Sequence, residues 1–289
     1  MSNIVLQCQN LVKKFDETTA INQVDLSIEK GKVYGLIGRN GAGKTTLLKL
    51  MSSLLFPTEG EILFSSGVKP TGGDIAYGRG YDIKYFSYKI KDIIKTASLS
   101  FPHWNKEYEE ELVERFELDT KKNYHKSSSG TQTMTSLVLS LAADAKVLLL
   151  DEPYTGLDPI NREVFYDFLR NHYFDGEKTV IISSHMIKEI EGYFERTIMI
   201  DKGKIVLNED LDTLKSQSFI IQGNQNLSDF VERNLNILSS ESLGSHCTYY
   251  VYDKIRDSER SKIQSLGGEV LSMDLQTLMV KMLMKGGAK

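Results

Sequence analysis

Cysteine is scarce in this chain of 289 residues, with only Cys8 and Cys247 present. These two residues lack the spacing of metal ligands, and so few cysteines exclude a disulfide-stabilised scaffold. We expect them to be free thiols in a reducing compartment, and a role as small buried hydrophobic side chains would account for them equally well.

Long apolar runs are also missing. No stretch approaches the roughly 20 apolar residues that a membrane-spanning helix needs. The first residues, MSNIVLQCQNLVKKF, lack the basic region and the long apolar core of a secretion signal, so we expect no signal peptide. If the protein moves something through a membrane, another chain must form the path.

A strong excess of one charge is absent as well. The formal net charge is −4, which does not suggest nucleic acid as a partner, and we expect none. The apolar content of 40% is ordinary for a packed core. The length suits one large domain with a smaller one beside it.

Buried strands alternate with helical stretches through the first two thirds of the chain. Apolar runs typical of parallel strands are VYGLIG (33–38), KVLLLD (146–151), KTVIIS (178–183) and RTIMID (196–201). Helices are predicted at 44–55 and 160–172, and a helical insert at about 87–143. GEILF (60–64) and YDIKYF (81–86) are predicted strands joined by a glycine-rich loop. The pattern indicates an α/β fold with a largely parallel sheet.

The pattern of predicted strands and helices changes from about Phe219. Predicted strands and helices follow in the order β-α-β-β-α-β of a small α+β, ferredoxin-like unit. A last amphipathic helix carries one apolar stripe, formed by Leu275, Leu278, Met279, Met282 and Leu283. Core or interface packing explains this stripe better than ligand binding. We therefore predict domains at 1–216 and 217–289, the second acting as a regulatory sensor or as a support for a dimer.

A phosphate-binding loop is predicted at GRNGAGKTT (38–46), which matches G-x-x-x-x-G-K-S/T between a strand and a helix. Glycines let backbone N–H groups converge, and the helix N-terminus adds partial positive charge. Lys44 can pair with the β- and γ-phosphates, and the Thr45 hydroxyl can bind Mg²⁺. The predicted phosphate-binding residues are Gly38, Arg39, Asn40, Gly41, Ala42, Gly43, Lys44, Thr45 and Thr46.

VLLLDEP supplies two carboxylates at the end of an apolar strand, where open parallel sheets place ligands. Asp151 is the predicted Mg²⁺ partner. Glu152 can polarise an attacking water as a general base.

Together with TGLD (155–158), ISSHMIKEIE and SSSGT (127–131), these motifs make residues 3–215 resemble the ATP-binding cassette (ABC) transporter ATPases. The resemblance implies a P-loop NTPase cassette that hydrolyses ATP with Mg²⁺. It also implies that the ATP is bound between two cassettes paired head to tail. By position it assigns Phe15 to adenine stacking, although Phe15 alone would be taken for a core residue. It assigns His185 to the γ-phosphate switch and Asp158 to the loop that crosses between subunits.

SSSGT stands where the family has its signature LSGGQ. Ser128 and Gly130 preserve the hydroxyl and the backbone N–H donors that close over the partner's ATP. Ser129 replaces a glycine, Thr131 replaces the glutamine, and Ser127 puts a polar group at an apolar anchor. The added Cβ at Ser129 could crowd the loop. A working, slower signature is expected rather than an inactive one.

The family's loop glutamine, which senses Mg²⁺ and touches the membrane partner, has no counterpart in FSYKIKD (86–92). Ser87 or Tyr88 occupies the expected position, which leaves the sensor unassigned. The following segment, FPHWNKEYEE (101–110), is the natural face for partner docking. Alternatively, Trp104 simply anchors the two insert helices.

The expected function is the nucleotide-binding subunit of an exporter at the cytoplasmic face of the membrane. Its partners would be an integral membrane subunit and a second cassette, identical or different. The insert and the closing stretch resemble those of drug and peptide exporter ATPases, including the type that exports phenol-soluble-modulin peptide toxins. Two alternatives stay open: a nucleotide-gated sensor with weak hydrolysis, and an ATPase unconnected with transport.

Overall fold

The computed structural model describes residues 3–65, 68, 73–79, 87–185 and 187–286. Contacts divide the chain into two compact units, one formed by 1–185 and 192–208, the other by 186–191 and 209–289. The sequence predicts a division after residue 216, and the contacts group residues 209–216 with the second unit.

The elements up to residue 216 comprise both strands and helices. The strands are β1 (Ile4–Phe15), β2 (Thr18–Glu29), β3 (Val33–Ile37), β4 (Glu59–Phe64), β5 (Ile75–Arg79), β6 (Val147–Asp151), β7 (Thr179–Ser184), β8 (Arg196–Asp201) and β9 (Lys204–Asp210). The helices are α1 (Lys44–Met51), α2 (Ile90–Ser100), α3 (Lys106–Arg115), α4 (Ser129–Ala142), α5 (Pro159–His172), α6 (Ile187–Ile190) and α7 (Leu211–Ser216).

The main sheet of the first unit has the strand order β5-β6-β7-β3-β8-β9, and β5, β6, β7, β3 and β8 run parallel. This confirms the predicted α/β fold. Register places Arg79 opposite Asp151, and Asp151 opposite Ser183. Ile37, the last residue of β3, lies opposite Ser184. The carboxyl ends of four strands therefore meet at one edge of the sheet. A second, antiparallel sheet has the order β2-β1-β4.

The strand beside β6 corrects the sequence prediction. β5 lies in the segment that we predicted to be a glycine-rich loop, so that part of the prediction was wrong. The predicted strand at 81–86 lies outside the described residues. Gly78 explains the error, because it weakens the strand pattern yet is required by packing. A Cβ at position 78 would lie 2.5 Å from Ser140 Oγ, so only glycine lets α4 approach β5 this closely.

The helical insert forms as predicted. α2 and α3 both pack against α4, with Ile90, Ile94 and Leu112 buried. Trp104 is half-buried, and its indole N–H donates to Glu109 Oε2 over 2.9 Å. These contacts agree with Trp104 as an anchor within the insert.

The second unit has the predicted order β-α-β-β-α-β. Its later elements are β10 (Ser218–Asn224), α8 (Ser228–Asn234), β11 (Ile237–Leu243), β12 (His246–Tyr252), α9 (Asp257–Ser265), β13 (Glu269–Ser272) and α10 (Leu275–Gly286). The antiparallel strand order β11-β12-β10-β13 is the ferredoxin-like one, which confirms that prediction. Leu278 and Met279 are buried, and α10 contacts β11 and β12, so the stripe packs within this unit.

Within the described ranges, no helix is long and apolar enough to cross a bilayer.

Candidate active site

The phosphate-binding loop joins the end of β3 to the start of α1. Gly43 caps α1 with φ of 111°, and a Cβ there would lie 2.7 Å from the Ala20 carbonyl oxygen. Glycine alone fits this position. The buried Lys44 ammonium donates to the Gly38 carbonyl over 2.8 Å and lies 3.6 Å from Glu152 Oε1. Its positive charge is thereby held at the mouth of the loop.

Asp151 is fully buried at the end of β6. Its Oδ2 accepts a hydrogen bond from Thr45 Oγ1 over 2.8 Å, and its Oδ1 accepts one from Ser183 Oγ over 2.7 Å. Carboxylate and hydroxyl oxygens that converge in this way fit a hard divalent cation such as Mg²⁺, which completes its shell with phosphate and water. The Tyr77 hydroxyl and Arg79 Nε lie 3.2 and 3.4 Å from the same Oδ2.

Glu152 has an unusual backbone conformation for its residue type. Its φ is 50°, in the left-handed region. Its N–H donates to Ser183 Oγ over 3.0 Å, its Oε2 accepts from the Tyr154 hydroxyl over 3.0 Å, and His185 Nδ1 lies 2.7 Å from that same oxygen. Tyr154 also hydrogen-bonds Ser184. These neighbours hold a strained residue in one orientation, as is common at functional sites.

A cavity of about 320 Å³ lies in front of these groups. Its lining residues are Ala20, Arg39, Asn40, Gly41, Gly43, Lys44, Thr45, Thr46, Arg79, Glu152, Thr155 and His185. Nine of them were predicted from the sequence as site residues. Gly38 and Asp151 join the site through their bonds to Lys44 and Thr45, and Ala42 is buried within the loop.

Four predicted residues lie elsewhere. In the described part of the chain, Phe15, Ser128, Gly130 and Asp158 do not line this cavity. Phe15 ends β1 with 44% of its surface exposed, and Lys13 Nζ lies 5.1 Å from its ring centroid. The other three lie at the N-termini of α4 and α5.

The SSSGT segment forms a well-built helix start. The Ser128 side chain caps α4 by accepting from the Thr131 N–H over 3.2 Å. Ser129 is the first residue of α4, so its backbone is helical and does not need the freedom of glycine. The Ser127 hydroxyl donates to the Asn123 carbonyl over 2.9 Å, which satisfies the polar group at the apolar anchor. The three serines are thus compatible with an intact loop.

Asp158 caps α5 in the same way. Its carboxylate accepts hydrogen bonds from the Asn161 backbone and side chain, each over 2.9 Å. These bonds lower the pKa of Asp158. The stabilisation that they give is therefore complete above the unfolded-state pKa and is lost as the pH falls through the folded-state value.

Sequence reasoning missed Tyr77, Arg79, Tyr154 and Ser183. No local motif marks Tyr77 or Arg79, because both belong to the strand predicted as a loop. Tyr154 directly follows DEP and could have been noticed for its position. Ser183 could be found only from the register between β6 and β7.

Comparisons with known proteins agree with this architecture. The ABC transporter family matches residues 21–155. The ABC transporter ATP-binding protein YtrB of Bacillus subtilis is 32% identical over 223 residues, covering 75% of this chain and 76% of the relative. The bacitracin transport ATP-binding protein BcrA of Enterococcus faecalis is 31% identical, covering 74% and 72%. The lantibiotic transport ATP-binding protein SrtF of Streptococcus pyogenes is 33% identical, covering 72% and 92%.

Solved structures share the fold. An ATP-binding subunit of an ABC transporter superposes with a TM-score of 0.65 at 21% identity, covering 74% of this chain and 92% of that one. A dimeric ATP-binding cassette in a post-hydrolysis state, bound to ADP and Pi, gives 0.60 at 21% identity, covering 71% and 98%. This chain belongs to the ABC transporter family of ATP-binding proteins and is an ATPase.

Proposed function

We propose that this ATPase is the nucleotide-binding subunit of an exporter for peptides or amphipathic drugs. It would act at the cytoplasmic face of the membrane through an integral membrane subunit. The names of relatives that are about one third identical, which refer to bacitracin and lantibiotic transport, support this class of cargo.

The division of the site is the observation that carries the proposal. Lys44, Glu152 and His185 line one cavity, whereas Ser128 and Gly130 lie away from it on α4. A head-to-tail dimer brings the α4 N-terminus of one copy to the cavity of the other. ATP binding then closes the pair, and hydrolysis lets it open, which is the movement that a membrane subunit can use.

The site residues predicted from the sequence have proposed roles. The loop N–H groups and Lys44 bind the phosphates. Thr45 and Asp151 would hold Mg²⁺, which supplies neutralisation of phosphate charge when bound. Glu152 orients and deprotonates the attacking water, and His185 holds the Glu152 carboxylate and faces the γ-phosphate. Phe15 would stack on the adenine ring.

A groove between α2 and α3 supports docking of the membrane subunit. It has a volume of about 830 Å³, and its wall includes Ile94, Phe101 and Trp104, with the exposed Lys91 and Lys95 at its rim. Glu109, Glu110 and Glu114 also line the groove, so a helix of the membrane subunit with an apolar face, acidic groups toward Lys91 and Lys95, and basic groups toward the glutamates would fit it.

Co-expression with the membrane protein of the neighbouring gene tests the proposal. We expect the two chains to co-purify in detergent, and we expect ATPase activity to depend on cargo. Lys91→Glu together with Lys95→Glu should abolish co-purification while basal ATPase activity is retained. Lys204→Glu, an exposed charge reversal on β9, is the matched control. Full cargo-independent activity with no membrane partner would instead favour an ATPase unconnected with transport.

A further inference from the structure

Arg79 is the last residue of β5 and points into the proposed nucleotide cavity. Its Nε lies 3.4 Å from Asp151 Oδ2, and the side chain is 39% exposed. Its own carbonyl accepts a hydrogen bond from Ser136 Oγ of α4 over 2.5 Å. One residue therefore touches both the proposed Mg²⁺ carboxylate and the helix that begins with SSSGT.

The Asp151 oxygen that faces Arg79 is the same one that accepts the Thr45 hydroxyl. A guanidinium keeps its positive charge at every physiological pH. Arg79 therefore offsets the charge of this carboxylate for as long as the two side chains are paired. The Tyr77 hydroxyl lies 3.2 Å from the same oxygen, so a cation that binds Asp151 Oδ2 competes with Arg79 and Tyr77 together, and Arg79 is the charged competitor. Once displaced, the guanidinium lies in a cavity lined by Lys44 and Gly41, where its planar donors suit a phosphate group.

We propose that Arg79 is a positioning residue of the nucleotide site that exchanges partners during ATP binding. It holds Asp151 in the nucleotide-free chain, competes there with Mg²⁺, and transfers to the terminal phosphate of ATP. The inference rests on the proposed nucleotide site. It explains why an arginine ends β5 beside the buried Asp151.

Equilibrium binding of the fluorescent nucleotides MANT-ATP and MANT-ADP to the full chain tests the proposal, in EDTA and across a Mg²⁺ titration. Arg79→Gln and Arg79→Met both remove the charge, and Met retains the apolar stem. Arg115→Gln is the matched control, because Arg115 of α3 pairs with Glu111 of the same helix and with Asp167 of α5, and its side chain is 29% exposed.

A partly exposed ion pair shifts a binding equilibrium by up to about fivefold. We therefore expect both Arg79 variants to lose about three- to fivefold in MANT-ATP affinity in EDTA, with less loss for MANT-ADP. The gain in MANT-ATP affinity on adding Mg²⁺ should rise by the same factor, because the competitor for Asp151 is gone. Arg115→Gln should behave as the wild type.

An unchanged Mg²⁺ effect in both folded variants, or an equal change in Arg115→Gln, overturns the role of Arg79. Circular dichroism melts identify a variant that fails to fold, and the other variant then decides. Lys44→Ala tests the nucleotide site itself, independently of the role of Arg79. If it leaves MANT-ATP binding intact, the nucleotide site itself is misplaced; if it abolishes binding, the Arg79 result stands alone.

Discussion

Glu152 draws its partners from the end of a neighbouring strand and from its own loop. Ser183 and His185 come from the end of β7, and Tyr154 follows in the same loop. Their hydrogen bonds stabilise a backbone conformation that glutamate rarely adopts. These contacts give the carboxylate one orientation, as a general base requires.

Replacing Glu152 by Gln should lower kcat for ATP by about 10²- to 10⁴-fold, because the amide cannot take a proton from water. Steady-state phosphate release measures this loss. Glu163→Gln, an exposed change on α5, should leave the rate unaltered. If the wild type is already as slow as Glu152→Gln, the weakly hydrolysing sensor becomes the better account.

Cys8 should be unreactive in the folded protein. Burial, together with the nearby Asp25 carboxylate, raises the pKa of its thiol to about 12. Only the thiolate is nucleophilic, so DTNB at pH 8 should label Cys8 in unfolded protein and not in native protein. Mass spectrometry of the labelled peptides measures this. Rapid labelling of native Cys8 would show that the β1 core opens readily.

At the scale of elements, α4 connects distant parts of the first unit. Its first residues carry the SSSGT segment, and its body packs on β5, which ends at the candidate site. Thr133 Oγ1 donates to the Thr155 carbonyl over 2.8 Å, which joins the same helix to the TGLD loop. A displacement of α4 would therefore move Arg79 and Thr155 together.

Gly78→Ala should destabilise the fold, because the new Cβ would overlap Ser140 of α4. Overpacking of this kind costs about 1–3 kcal/mol in the free energy of unfolding. Urea denaturation measures the loss, and Gly192→Ala is the matched control, since its Cβ would meet nothing within 4 Å.

Adding Ser140→Gly to Gly78→Ala should recover part of that stability through a favourable coupling between the two sites. Additive effects would show that Gly78 matters for another reason.

At the scale of the whole molecule, one copy supplies half of the proposed ATP site. The cavity of the first unit lacks the Ser128 hydroxyl and the Gly130 N–H that the dimer would bring. Catalysis should accordingly depend on protein concentration, because the complete site exists only in the pair.

The Glu152→Gln variant should dimerise when ATP and Mg²⁺ are present, because ATP is retained between the copies. Sedimentation velocity should show a monomer without nucleotide and a dimer with ATP. Adding Lys44→Ala to this variant should keep it monomeric, because phosphate binding is lost. A monomer at saturating ATP in Glu152→Gln alone would refute the head-to-tail arrangement.

The sequence by itself determines the fold class, the phosphate-binding loop and the two carboxylates after VLLL. These features are local, because one strand, one turn and one helix start suffice to build each of them. The order of elements likewise predicts the ferredoxin-like unit, because the periodicity of a strand or a helix can be recognised without knowing which element packs against it. The segment of β5 was predicted to be a loop because Gly78 weakens the local strand pattern. The reason for a glycine at this position is the close approach of α4, which the local sequence does not reveal.

Only the tertiary structure decided how Asp151 and Glu152 are surrounded. Thr45, Ser183, Arg79 and Tyr77 reach Asp151 from positions far away in the chain. Their meeting depends on the register of parallel strands, and no local pattern encodes which residue of one strand lies opposite which residue of the next. The arginine beside the proposed Mg²⁺ carboxylate is therefore invisible in the sequence and evident in the fold.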